Sequence, residues 1–249
     1  MRQEAAAAAR DRVARAVEGS AGRGLVEDAD EVMPRLATVA GHAELGGSGL
    51  VIEAVPEDLD LKLVTLRAVE DAVAPEAVIA SNTSSISLDT LAEALARPER
   101  FLGLHFFNPV PASRLVEVVI AAATGEALRE RAVAWVAAIG KTAVVVQNAP
   151  GFASSRLGVI LGLEAIRMVE SGVASAEDID AAMTLGYGHP TGPLRLTDLV
   201  GLDVRLGIAR YLENELGPRF APPELLLRLV AQGHLGRKSG KGFYDWSES

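Results

Sequence analysis

The stretch FLGLHFFNPVPASRLVEVVIA, residues 101–121, decides the architecture. Two apolar, β-branched runs, Phe101–Phe107 and Leu115–Ala121, are separated only by Asn108–Arg114. That link is shorter than the dozen or so residues a parallel crossover needs, and it suits an antiparallel hairpin. Two residues inside the hairpin stand out. His105 and Glu117 interrupt runs that are otherwise apolar, where a lone charge is costly. If the turn centres near Pro111, residues whose numbers sum to about 222 face each other, so His105 stands opposite Glu117. An imidazole held by a carboxylate is a general-base arrangement. A satisfied core pair, or a register in which the two do not meet, explains the spacing equally well, because hairpin register is weakly fixed by sequence.

Working outward, Leu50–Val55 and Ala77–Ala80 read as buried strands. Between them Glu57–Val73 carries Leu59, Leu63, Leu66, Val69 and Val73 at helical spacing, and Leu88–Ala96 is a second helical stretch before Phe101. Strand and helix alternate, so a largely parallel sheet is expected, ending in the hairpin and a strand over Thr142–Gln147. Ahead of it, Glu4–Glu18 is an Ala- and Arg-rich helix followed by a turn-rich stretch at Gly19, Gly22 and Gly24. Beyond Pro150-Gly151 the strand signals stop. Phe152–Ser171, Ser175–Leu185, Pro193–Leu216 and Pro223–Gln232 read as helices, with Ser175 as an N-cap and Gly186 and Gly188 at the end of the second. The Asn148–Gly151 segment is the natural boundary, giving an α/β domain over residues 1–147 and a helical one over 148–249.

At 249 residues, 49% hydrophobic and 23% charged, the chain is globular in composition. Lys and Arg number 24 against 33 Asp and Glu, a net charge of −9 that argues against a nucleic-acid partner. There is no cysteine, which removes disulfides, thiolate metal sites and cysteine nucleophiles together. No apolar run reaches the roughly 18–20 residues of a membrane span, and a cytoplasmic protein is expected. The four histidines show no metal-ligand spacing, so no metal is expected. Ala80-Ser81-Asn82-Thr83-Ser84-Ser85 sets hydroxyls just after a buried strand, where open α/β sheets bind ligands. A plain polar turn with Ser85 or Ser87 capping the next helix explains it as well. Glu57 and Lys62 likewise read first as helix charges. Glycine fingerprints for phosphate fail: Gly19–Gly24 has the wrong order of spacings, and Gly236–Lys241 lacks the P-loop pattern.

The motifs taken together resemble the 3-hydroxyacyl-CoA dehydrogenase family. They are Ala80–Ser85, His105-Phe106-Phe107-Asn108-Pro109-Val110-Pro111, Leu115-Val116-Glu117-Val118, Pro150-Gly151-Phe152, Gly188–Pro193, Asp198–Asp203 and Gly236–Tyr244, in the family's order. The resemblance implies an NAD-dependent oxidation of an L-3-hydroxyacyl-CoA to the 3-oxoacyl-CoA. It makes His105 the base, Glu117 its orienting partner, Ser84 a hydrogen-bonding partner of the substrate oxygen, and Asn108 a group shaping the cofactor side. Glu57, Lys62 and Lys238 match cofactor-contacting positions, which overturns the plain reading of the first two. Ser155 stands where the family usually has a substrate-holding asparagine, so altered substrate placement is expected. The helical domain implies a homodimer. The family's first strand and G-x-G-x-x-G turn are not found, so the expected fold class is an α/β Rossmann-type domain, N-terminally truncated by roughly thirty residues, followed by an all-α C-terminal domain. A non-catalytic binding or structural relative and a sugar-acid dehydrogenase of the gulonate type are the alternatives.

Overall fold

The computed structural model describes residues 2–24, 28–107 and 110–247. Five strands form one sheet in chain order: β1 (Leu50–Glu53), β2 (Val78–Ser81), β3 (Phe101–Phe106), β4 (Leu115–Ile120) and β5 (Thr142–Gln147). β1, β2 and β3 are mutually parallel, β3 and β4 antiparallel, and β4 and β5 parallel. The hairpin register is the one expected, with Gly103 opposite Val119 and His105 opposite Glu117. Asn108, within the turn, lies outside the described residues.

Besides short 3-10 turns, the described residues hold ten α-helices: α1 (Arg2–Ala21), α2 (Ala29–Val32), α3 (Leu59–Ala72), α4 (Leu88–Ala92), α5 (Glu126–Ala138), α6 (Ser154–Glu170), α7 (Ala176–Tyr187), α8 (Pro193–Val200), α9 (Leu202–Leu216) and α10 (Glu224–Ala231). α1 runs through Gly19, which sequence placed in a turn; the chain turns at residues 22–24. Asp58 caps α3 through its bond from Leu61 N (2.8 Å), and Ser87 caps α4.

Successive strand residues point to opposite faces, and each face has its own cover. On one, Leu66 and Val69 of α3 and Leu88 and Leu91 of α4 pack on Ile79, Phe101 and Val119, joined by Phe152. On the other, Leu128, Ala132 and Val136 of α5 pack on Val78, Leu102, Leu104, Val116 and Val118. Odd-numbered positions of the hairpin therefore look toward α4 and Phe152, His105 and Glu117 among them. Gly103 is glycine for a steric reason: a Cβ there would stand 2.8 Å from Leu88 Cδ1 and 2.9 Å from Val119 Cβ.

The helices after Gln147 form a third core, with Leu163 and Ile166 of α6, Leu194 of α8 and Leu206 and Leu212 of α9 at its centre. The single helix expected over Pro193–Leu216 is two. Gly201 adopts φ +103°, a conformation side chains disfavour, and stands between the end of α8 and the start of α9. The break lets Asp198, 1% exposed, face the C-terminal strap and accept from Phe243 N, Tyr244 N and Trp246 Nε1 at 2.8–2.9 Å. Gly188 ends α7 in the left-handed conformation while Gly186 stays within the helix, and Ser175 caps it as expected. No helix among the described residues is long and apolar enough to cross a membrane.

Candidate active site

The carboxyl ends of the parallel strands and the amino end of α6 meet at a cluster of polar groups. Its centre is the hairpin pair. Register and pleat put His105 and Glu117 side by side, with Nδ1 of the imidazole 2.7 Å from Oε2 of the carboxylate. Both are buried, at 6% and 0% exposure. The rings of Phe107 and Phe152 flank the imidazole at centroid distances of 5.3 and 5.7 Å.

Glu117 is satisfied from the other side by α6. Ala153 N (3.0 Å) and Ser154 N (2.9 Å) donate to Oε1, and Ser154 Oγ (2.5 Å) donates to Oε2. The preceding turn makes this possible: Gly151 and Phe152 take φ of +72° and +48° in succession, aiming the next amides at the carboxylate. Burial works to raise the Glu117 pKa, but the bonds from His105 and Ser154 outweigh it and hold the group below the ordinary carboxylate range. The anion therefore fixes a proton on Nδ1 and leaves Nε2, which has no hydrogen bond among the described residues, as the basic nitrogen.

The polar turn after β2 lies beside the end of β1. Glu57 Oε1 accepts from Thr83 Oγ1 (2.6 Å), Ser84 N (3.0 Å), Ser85 N (3.0 Å) and Ser85 Oγ (3.0 Å). Burial raises the Glu57 pKa, and the hydrogen bonds with the Lys62 charge more than reverse it. Tyr211 of α9 is near enough that, after burial and Glu215, Glu57 helps push its phenol pKa up. Asn82 Oδ1 accepts from Phe106 N at 2.8 Å, tying the turn to the histidine strand.

Lys62 lies beneath the turn. It is 1% exposed, and its ammonium is engaged by Glu53 (2.9 and 3.1 Å), Val55 O (3.3 Å) and Glu57 Oε2 (3.2 Å). A buried ammonium needs its donors paired inside the protein, so Lys62 acts on the site by holding Glu57. Ser81 Oγ completes this group, donating to Glu53 at 2.6 Å. Lys238 belongs to the helical half, paired with Asp203 at 2.6 Å. Ser84 is half-buried in the turn, and Ser155 lies in the first turn of α6 beside Ser154. Sequence reading missed Ser154 and Glu53, because both act through contacts 37 and 28 positions away that no local pattern announces.

The chemistry of this donor set suits a ligand presenting hydroxyl and amide groups at the strand ends, as the nicotinamide riboside half of a dinucleotide does. No G-x-G-x-x-G occurs in the 249 residues, so the grip on a pyrophosphate is not among the groups described above.

Residues 1–149 match the family model described as 3-hydroxyacyl-CoA dehydrogenase, NAD binding domain, and residues 151–246 match the C-terminal domain of the same family. The first match begins at residue 1, and the expected truncation gains no support from it. A 3-hydroxybutyryl-CoA dehydrogenase of Mycobacterium tuberculosis is 43% identical over 244 residues, covering 96% of this chain and 85% of that protein. A mitochondrial hydroxyacyl-coenzyme A dehydrogenase of Sus scrofa is 42% identical over 199 residues, 79% of this chain and 63% of its own length. The crystal structure of an (S)-3-hydroxybutyryl-CoA dehydrogenase from Ralstonia eutropha superposes with a TM-score of 0.93 at 36% identity, covering 98% of this chain and 88% of that one.

Proposed function

Because the chain belongs to the 3-hydroxyacyl-CoA dehydrogenase family, we propose that it interconverts an L-3-hydroxyacyl-CoA and its 3-oxoacyl-CoA with NAD, using His105 as the base. The 2.7 Å contact between His105 Nδ1 and Glu117 Oε2 carries this reading. With Nδ1 protonated by that contact, Nε2 takes the proton of the 3-hydroxyl as the carbon gives up its hydride, and Glu117 stabilises the imidazolium that forms. Bound NAD supplies the hydride acceptor. An imidazole can both take up and give back a proton near neutral pH, which suits a reaction that runs in either direction.

Ser84 hydrogen-bonds the substrate oxygen from the β2 turn, and Ser155 replaces a longer amide arm with a hydroxyl that donates one bond. Glu57 and the turn it braces hold the nicotinamide riboside side, with Lys62 fixing Glu57 from beneath. Asn108 and Lys238 complete the cofactor set. In this reading residues 1–147 serve the nucleotide and 148–249 serve the acyl group and dimerisation. The outer stripe Leu196, Leu199 and Val200 of α8, continued by Val204, is exposed and apolar, a surface suited to a second copy of the chain.

The test is formation of reduced nicotinamide from L-3-hydroxybutyryl-CoA by wild type and by His105→Gln. Turnover by the wild type and a loss of about 10²–10⁴-fold in the variant are expected. A folded wild type with no turnover on any 3-hydroxyacyl-CoA, or a fully active variant, overturns the reading.

A further inference from the structure

Among the described residues, Ser154 is the one side chain of the helical half that bonds to the hairpin pair, and neither motif nor resemblance singles it out. A serine in the first turn of a helix ordinarily turns its hydroxyl onto its own backbone. α6 has no side-chain cap, and the Ser154 hydroxyl points the other way, to Glu117 Oε2 at 2.5 Å. That oxygen is also the acceptor for His105 Nδ1 at 2.7 Å. The other carboxylate oxygen is occupied by two backbone amides, which no side-chain truncation at 153 or 154 removes. Ser154 is thus the one adjustable donor competing with the imidazole for the same lone-pair charge.

We propose that Ser154 is a positioning residue that sets the basicity of His105 through the shared oxygen of Glu117. A hydroxyl donating to a carboxylate draws charge from the oxygen it shares. The anion then stabilises an adjacent imidazolium less, and the imidazole becomes a weaker base. The charged surroundings are sparse. After burial, the groups that act most strongly on Glu117 are its bonded partners His105 and Ser154. Val144 of β5 faces Glu117 across the sheet, and Arg156, the one charged residue in the first turn of α6, makes no side-chain bond to either partner. Among the described residues no other charged group hydrogen-bonds to the pair.

The inference rests on His105 as the base, and its test has a readout that does not need turnover. The imidazole of His105 is titrated by NMR in wild type, Ser154→Ala and Ser154→Thr, with His105→Gln identifying the signal. The expected result is a midpoint raised by about 0.5–1 unit in Ser154→Ala and restored in Ser154→Thr, which keeps the hydroxyl. The acid limb of kcat/KM for L-3-hydroxybutyryl-CoA oxidation then lies at higher pH in Ser154→Ala than in wild type by the same amount. The limb for reduction of acetoacetyl-CoA moves in the same sense. A merely structural role lowers both plateaus and moves neither limb. An unmoved or lowered midpoint in Ser154→Ala, or a Ser154→Thr protein that behaves like it, overturns the proposal. A shifted midpoint in a protein without turnover leaves the proposal standing and removes the reaction assigned to the site.

Discussion

Replacing Glu117 by glutamine changes one atom at the centre of four hydrogen bonds. The carboxylate accepts from His105 Nδ1, Ala153 N, Ser154 N and Ser154 Oγ, and every one of these is a donor. A glutamine amide has one accepting oxygen. The two backbone amides cannot reorient, so the oxygen goes to them, and the NH2 is left facing the imidazole and the Ser154 hydroxyl. Nδ1 then becomes the acceptor, and the proton moves to Nε2, the nitrogen that must receive the substrate's proton. A carboxylate-to-amide change that fixes the wrong tautomer beside a catalytic imidazole costs about 10⁴ in rate, as in the serine proteases, which is about 5.5 kcal/mol of barrier. The folded state loses charge-assisted bonds at a site where Glu117 is 0% exposed, a cost of about 1.5–3 kcal/mol. The assay is kcat/KM for oxidation of L-3-hydroxybutyryl-CoA, followed by reduced-nicotinamide absorbance, with urea denaturation alongside. A folded Glu117→Gln enzyme within about tenfold of wild type would refute the tautomer argument.

Three further outcomes are expected. Asp198→Ala removes the acceptor of two part-buried backbone amides and of the Trp246 indole N–H, so the protein should lose about 3 kcal/mol, read as a melting temperature lower by about 6–12 °C with altered tryptophan emission. Arg205→Met is expected to be neutral or to stabilise by about 1 kcal/mol in chemical denaturation; burial lowers the Arg205 pKa to about 10, its Nε has no partner, and a loss above about 2 kcal/mol would mean the charge is paired. Glu57 and Glu117 both lie below the ordinary 4.5 when folded. Their contribution is complete above the unfolded pKa and is lost as pH falls through 4.5 toward the lower folded values. Denaturation series at descending pH should therefore show stability falling in that window, with a shallower slope in the Glu57→Gln/Glu117→Gln double variant.

The hairpin was legible in the sequence because its link was short and both strands were strongly apolar; the His105–Glu117 register was one of the readings that spacing allowed, and the structure selects it. α5 was not anticipated, since Glu126–Ala138 mixes Ala with charges and only Leu128, Ala132 and Val136 mark its buried stripe. The merged helix over Pro193–Leu216 shows the limit of periodicity: Gly201 between two helical runs reads as a tolerated glycine until the buried Asp198 gives the break a purpose. The burial of Lys62 was not legible for a related reason. Its helical spacing is that of a surface residue, and only the fold reveals Glu53 beneath it, nine positions earlier on β1. The amides of Ala153 and Ser154 carry no signature at all, because a backbone N–H is the same in every sequence.

The paired left-handed residues Gly151 and Phe152 also impose a constraint on chain length. Between the last residue of β5 and the first of α6 there are six residues, 148–153, and they must end with two amides in register with one oxygen atom. Adding or deleting a single residue there rotates the helix start by about 100° and withdraws both amides from the carboxylate. Surface loops usually absorb such length changes. Here the spacer is a ruler, and its length is as much a part of the base as the imidazole.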